Sequence, residues 1–292
     1  MPNPPDNRDR ELDKESEQPR QLEVLIPTYG RTTALATTLA GLFGQTFRDF
    51  DIIIADQTED PGYFSGAELT TLRLAFENRG QRVRYFHRTE RHGLAEQRHF
   101  LLTRASAPHV LYLDNDLLLE PDVVGRMVET IQTEGCGYVG MACIGLSHRD
   151  DVRPHEQAIE FWEGPVQPEK YTFDTVPWMR YKLHNAANPL HLSWKYAPDG
   201  KTRRYKVAWV GACTMYDRAK LLAVGGYSWW NELPKEHCGE DVLAQLRVMA
   251  AYGGCGILPS GVYHLELPTT IPDRRFNTND LIRKYLGGEP PC

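Results

Sequence analysis

Leu111-Tyr112-Leu113-Asp114-Asn115-Asp116 is an apolar run that ends abruptly in two carboxylates one residue apart. A strand through Leu113 would leave the core there and release both acids at its carboxyl edge, where open α/β sheets bind ligands. Two hard oxygen donors in a tight turn suit Mg²⁺ or Mn²⁺, ions that usually accompany phosphates. The same residues could instead form an Asx-type turn that merely stops a buried strand. The flanking sequence decides between the two.

Upstream, residues 22–26 read as a buried strand closed by Pro27, and 32–43 as a helix with Leu35, Leu39, Leu42 and Phe43 on one face. A second apolar run, 51–55, ends at Asp56. Leu69, Leu72 and Phe76 mark a helix, 83–86 a third strand, 94–104 a helix opened by Gly93, and 110–113 the fourth strand. Pro121 starts another helix carrying Val124, Met127, Val128 and Ile131, and 137–142 returns to strand. This alternation predicts an α/β fold with a mixed, mainly parallel sheet and helices on both faces. Its strand ends gather Thr28, Tyr29 and Arg31, then Asp56, then Asp114 and Asp116, on one edge. Three polar strand ends in series point to a site.

The composition sets outer bounds. With 292 residues, 41% hydrophobic and 25% charged, the chain has ample material for a soluble globular core. A net charge of −6 argues against nucleic-acid binding, which needs a dominant basic surface. Basic residues cluster only locally, from Arg82 to Arg104 and at Arg274, Arg275, Arg283 and Lys284, where they could serve a phosphorylated small molecule or form a solvated face. No apolar stretch is long enough to span a bilayer, and no signal-peptide core is present. Residues 1–20, with four prolines and ten charged residues, read as a disordered tail. Six scattered cysteines (Cys136, Cys143, Cys213, Cys238, Cys255, Cys292) show neither zinc spacing nor a disulfide pattern, which suggests a reducing cytoplasm.

Residues 21–142 thus form the first half. From 143 to 206 the pattern breaks down into an irregular insertion rich in Trp, Tyr, His and Pro, expected to be an acceptor loop or lid whose aromatic residues mostly pack it down. The second half, 207–292, resumes with 207–210 and 211–216 read as strand, and 218–224 as a short helix ended by Gly225-Gly226. Gly239-Glu240-Asp241 precedes an amphipathic helix with Val242, Leu243, Leu246 and Met249, stopped at Gly253-Gly254. Acids in a first turn also serve as plain capping residues. A last strand, 257–263, delivers His264.

These residues together resemble a known family. Pro27-Thr28-Tyr29-Gly30-Arg31, Asp56, Gly93 with Arg98, Asp114-Asn115-Asp116 and the run Gly239-Glu240-Asp241-Val242-Leu243 are similar to family 2 glycosyltransferases of the GT-A, Rossmann-like fold. The resemblance implies one GT-A domain over 21–292 in which 21–142 binds a nucleotide-sugar and 207–292 binds the acceptor. Pro27, Thr28, Tyr29 and Arg31 would line the nucleoside pocket, and Asp56 would accept a hydrogen bond from the base. Arg98, reached through Gly93, would contact the base or diphosphate. Asp114 would hold the ribose or an ion-bound water, with Asn115 as a spacer beside the nucleotide. Asp116 would coordinate Mn²⁺ or Mg²⁺, with His264 as a further ligand. Asp241 would be the catalytic base, and Glu240, His237 and Trp209 would face the acceptor.

The chemistry suits those groups. Charge develops on the departing diphosphate, which a divalent cation offsets, and an acceptor hydroxyl needs a carboxylate to take its proton. The family implies inversion at the anomeric carbon and favours a UDP-sugar as donor, with dTDP- and GDP-sugars as alternatives. The acceptor could be a glycan, a small molecule or a natural-product scaffold. Two other readings compete: a nucleotidyltransferase, which would need a glycine-rich basic loop after the first strand, and a non-catalytic nucleotide-sugar-binding protein.

Overall fold

The structure is a computed structural model in which residues 20–60, 62–173, 175–271 and 275–286 are described. Nearly all of the expected tail, together with Arg274 and Cys292, lies outside the described residues. The first half runs β1 (Leu22–Thr28), α1 (Thr32–Phe43), β2 (Phe50–Asp56), α2 (Ala67–Asn78), β3 (Val83–His87), α3 (Leu94–Arg104) and β4 (His109–Leu113). It continues with β5 (Leu117–Leu119), α4 (Val123–Glu134), β6 (Tyr138–Gly140) and β7 (Ile144–Gly145). The remainder holds α5 (Asn188–Tyr196), β8 (Arg203–Tyr205), β9 (Cys213–Asp217), α6 (Arg218–Ala223), α7 (Glu240–Tyr252), β10 (Gly254–Leu258), β11 (Val262–His264) and α8 (Asn279–Leu286).

An 8-stranded sheet has the order β3-β2-β1-β4-β9-β6-β10-β8, and a 3-stranded sheet the order β5-β11-β7. β1 pairs in parallel with β2 and β4, and β2 with β3, so these strands end at one edge. β9 is antiparallel to both β4 and β6, with Cys213 opposite Leu113, so the loop entering β9 arrives at that same edge. Because β9 sits between two first-half strands, the two halves share one sheet.

Side chains alternate across the pleat, and the alternation divides the core into two layers. Val24, Ile26, Ile52, Ile54, Leu111 and Leu113 pack with Leu35, Leu39, Phe76, Val124 and Met127 on one face. Leu25, Ile53, Ala55, Val110 and Tyr112 pack with Leu101, Leu102, Leu221, Leu243 and Leu246 on the other. Runs buried on both faces are why β1, β2 and β4 read as continuous apolar stretches.

Three sequence expectations are corrected. Residues 207–212 are a loop, and strand begins only at Cys213. Val207, Ala208 and Val210 are apolar because they are fully buried. The buried Gln245 amide takes the place of a neighbouring strand there, accepting from the Val210 N–H at 2.8 Å and donating to its carbonyl at 2.7 Å. Residues 257–263 are not one strand but β10 and β11, in different sheets, divided by a turn at Gly261 with φ +67°. β10 starts earlier than expected, at Gly254, which pairs with Tyr138; only glycine fits there, since a Cβ would lie 2.3 Å from the Tyr138 ring, and one at Gly256 equally close to Tyr205. The insertion, finally, is not irregular throughout: it contains α5, with Pro189 in its first turn, and β8, which adds antiparallel to the β10 edge.

Candidate active site

The parallel strand ends open into a cleft of about 370 Å³. Of the residues singled out from sequence, Pro27, Thr28, Tyr29, Arg31, Gly93, Asp114, Asn115, Asp116, His237, Glu240 and His264 lie along it. Asp56, Arg98, Trp209 and Asp241 lie outside its wall. The fold brings the first set together because β1 and β4 end side by side, α3 and α7 begin over them, and β11 ends against the acidic turn. Leu265 N–H donates to the Asp116 carbonyl at 2.9 Å, closing that last contact.

Each acid has its own surroundings. Asp56 is fully buried; its Oδ1 accepts from the Thr58 N–H at 2.8 Å and from the Thr58 hydroxyl at 2.5 Å, and its Oδ2 from the Tyr85 hydroxyl at 2.6 Å. Those bonds tie Asp56 into the protein and leave it no face on the cleft. Asn115 donates to the Thr28 hydroxyl at 2.6 Å, which locks the acidic turn onto the end of β1. Asp116, 4% exposed, pairs with the Arg31 guanidinium, which also donates to the Pro268 carbonyl.

Arg98 departs most from its expected place. Its side chain is buried, its Nε donates to Glu240 Oε1 at 2.9 Å, and an Nη donates to Asp114 Oδ1 at 3.1 Å. The guanidinium is therefore an internal tie between the acidic turn and the start of α7, and no contact to a base or diphosphate follows from its position. Asp241, half-buried and one residue on, has its carboxyl pushed up to about 7, first by withdrawal from water and then by the Glu240 charge, with Arg98 opposing. A carboxyl that titrates near neutrality is suited to taking and giving protons.

His237 is wholly buried, and both ring nitrogens are engaged: Nδ1 donates to the Pro234 carbonyl at 2.7 Å and Nε2 accepts from the Ala95 N–H at 3.1 Å. It fastens the start of α3 and presents no group to an acceptor. Gly93 (φ +96°) is required by the same packing, since a Cβ would fall 2.5 Å from the Lys235 carbonyl oxygen and 2.6 Å from His237 Cε1. Trp209 stacks on Tyr181, centroids 4.9 Å apart at 13°, and leans on Trp178 at 4.8 Å. Among the described residues, none of 143–206 lines the cleft.

The donor set for a cation is small. Among the described residues no three His, Cys, Asp or Glu side chains form a metal cage. His264 Nε2 lies 3.6 Å from Asp116 Oδ2, but its Nδ1 accepts the Glu266 N–H at 2.8 Å. An amide can only donate, so Nδ1 is engaged as an acceptor, and turning Nε2 to a cation would require that bond to be given up. What fits is the carboxylate of Asp116, with Asp114 two residues before it on the same cleft, and a cation completed by phosphate oxygens, as Mg²⁺ sites often are.

Sequence reading missed Gln57, Arg91 and Gln97, all on the cleft, and the segment after β11 (Leu267, Thr269, Thr270, Ile271). Arg91 lies over the Tyr29 ring, 3.9 Å from its centroid. The only signal available for the two glutamines was adjacency, to Asp56 and to Arg98.

Comparisons with known proteins bear on the family and the fold. The sequence model of glycosyl transferase family 2 matches residues 23–195. No curated protein matches the chain. Similar solved structures include S. aureus TarS 1-349 in complex with UDP-GlcNAc, with a TM-score of 0.53 at 16% identity over 86% of this chain and 60% of that one. Another is the mannosyltransferase PcManGT from Pyrobaculum calidifontis in complex with GDP-Man and Mn²⁺, with a TM-score of 0.55 at 16% identity over 87% of this chain and 59% of that one. At such identities the likeness is one of fold. The chain spans between 36% and 60% of the length of these proteins and of the longer TarS. Among the described residues no helix is long and apolar enough to cross a membrane.

Proposed function

The chain belongs to glycosyl transferase family 2, and we propose that it moves a sugar from a nucleoside-diphosphate sugar to an acceptor hydroxyl, with a divalent cation at the diphosphate. One observation carries the reading: Asp241, a carboxyl pushed up to about 7, stands one residue from the cleft-lining Glu240 and is tied through it and Arg98 to the acidic turn. One buried guanidinium thus joins the acidic turn to the start of the helix that carries the base, an arrangement that suits displacement between two bound substrates.

In this reading the nucleoside lies over the ends of β1 and β2, with Tyr29 and Arg91 beside it, and the diphosphate lies toward Asp116. A cation held by Asp116 would offset the charge that develops on the leaving diphosphate. Arg31 neutralises Asp116 in the present state and would turn to the phosphates as the cation arrives. Asp241 accepts the proton of the acceptor hydroxyl while the oxygen of that hydroxyl bonds to the anomeric carbon. The bond from that carbon to the diphosphate oxygen breaks, and one displacement from the opposite face inverts the centre.

The acceptor would approach from the Gly211 side. A Cβ on Gly211 would stand 3.7 Å from Asp241 Oδ2, and Trp209, two residues earlier, joins the insertion's aromatic rings there. The insertion would thus shape the acceptor site from outside the donor cleft. The family resemblance favours UDP, whereas the neighbours hold both UDP-GlcNAc and GDP-Man, so the base turns on this cleft's own chemistry. The test is a nucleotide-sugar panel with and without Mn²⁺, read as slow release of free nucleoside diphosphate. Binding with no release by any member would favour a non-catalytic module.

A further inference from the structure

Two buried glutamines on the cleft leave the same kind of atom free. Gln97, 5% exposed, donates from Nε2 to the Thr28 carbonyl at 3.2 Å and to the Ala55 carbonyl at 3.1 Å. Gln57, 3% exposed, donates from Nε2 to the Glu90 carbonyl and to Glu96 Oε2, both at 3.4 Å. All four partners can only accept, so both amides are fixed with nitrogen toward the protein and oxygen away. Among the described residues no group donates to either Oε1.

The two side chains also belong to one spot. The Thr28 carbonyl that takes the Gln97 amide accepts the Gln57 backbone N–H at 3.1 Å. That spot is the junction of the β1 and β2 ends, on the β2 side of Thr28, whose hydroxyl holds the acidic turn through Asn115. Neither oxygen is a buried atom left without a partner, so both are open to the cleft; a ligand that covers them must supply a donor in place of water, and one that supplies an acceptor is rejected.

We propose that the Gln57 and Gln97 carbonyls read the nucleobase, and that the donor nucleotide is a guanosine diphosphate sugar. The proposal rests on the donor-binding reading above and deepens it. Guanine places two adjacent donors, N1–H and the N2 amino group, on its Watson–Crick edge. Uracil and thymine offer a single N3–H between two carbonyls, which would face the glutamine carbonyls. Adenine and cytosine each set one amino group beside a ring-nitrogen acceptor. Guanine alone among these matches two acceptors.

The test is calorimetric titration of the wild-type chain, with Mn²⁺, using GDP, IDP, 2′-deoxy-GDP, UDP and ADP. GDP is expected to bind about tenfold tighter than IDP, which lacks only the N2 amino group, and about a hundredfold tighter than UDP. Deoxy-GDP is expected to keep the GDP preference. Equal GDP and IDP affinities, or tighter UDP, overturn the base assignment and leave sugar transfer standing. Failure to bind any nucleoside diphosphate overturns the donor reading itself. Gln57→Leu, whose amide bonds are long, is expected to melt as wild type and to narrow the GDP-to-UDP ratio about tenfold. An unchanged ratio removes Gln57 from the assignment.

Discussion

Arg98 on α3 donates to Glu240 at the first position of α7 across 2.9 Å, joining residues 142 positions apart in the chain. The same guanidinium holds Asp114 at 3.1 Å, so one buried cation fixes the distance between the acidic turn and the helix that carries Asp241. Such a tie costs desolvation, and removing one partner leaves the others charged and unpaired.

Arg98→Gln should therefore act twice. The buried Glu240 loses its partner, so thermal unfolding should show a loss of roughly 3 kcal/mol. Arg98 also holds the Asp241 carboxyl down against burial and Glu240, so the acid limb of the pH–rate profile should move to higher pH. A fall in stability with an unmoved limb would leave Arg98 a purely structural role.

In the wild type, the base must be ionised to work. With its carboxyl near 7, Asp241 is protonated below that pH and free above it, so kcat/KM should rise through about pH 7. Asp241→Asn should lower kcat by about 10²–10⁴-fold and leave nucleotide affinity unchanged. Turnover within a few-fold of wild type would exclude Asp241 as the base.

Asp116→Asn should abolish most of the gain in nucleotide affinity that Mn²⁺ gives the wild type, because the other carboxylates on the cleft, Asp114 and Glu240, are already held by Arg98. His264→Gln, by contrast, should retain most of that gain, since the ring's Nδ1 is already taken by the Glu266 N–H. Calorimetry with and without Mn²⁺ separates the two, and loss of the gain in His264→Gln would establish the ring as a ligand.

Gly93→Ala tests the packing at the start of α3. The new methyl would meet the Lys235 carbonyl oxygen at 2.5 Å in a backbone with φ +96°. A loss of at least about 2 kcal/mol in denaturant unfolding is expected.

Away from the cleft, burial pushes the His184 imidazole down to about 4 from its ordinary 6.5. The unfolded chain takes up a proton below 6.5 that the folded one resists, so stability is full above that pH and is lost as pH falls toward 4. The loss should reach about 1–3 kcal/mol. His184→Phe should flatten stability over this window, and an unchanged slope would show that another group sets it.

The sequence by itself determined the order of elements in the first half and the edge to which their polar ends go. Continuous apolar runs buried on two faces and helices with one apolar stripe leave few alternatives, and Asp114-Asn115-Asp116 and Gly239-Glu240-Asp241 are local signals at element ends. Where burial and secondary structure part company, local pattern misled: 207–212 is apolar without being strand, and 257–263 turns between two sheets. Tertiary structure alone decided what each polar side chain is for. Arg98 turned inward because Glu240 arrives from the far half of the chain, and Asp56 is occupied by Thr58 and Tyr85. Gln57 and Gln97, unremarkable in sequence, face the cleft because backbone carbonyls at the β1 and β2 ends take Gln97's N–H groups, while the Glu90 carbonyl and the Glu96 carboxylate take those of Gln57. A hydrogen bond depends on where both partners stand, and a sequence names residues without setting the distance between them.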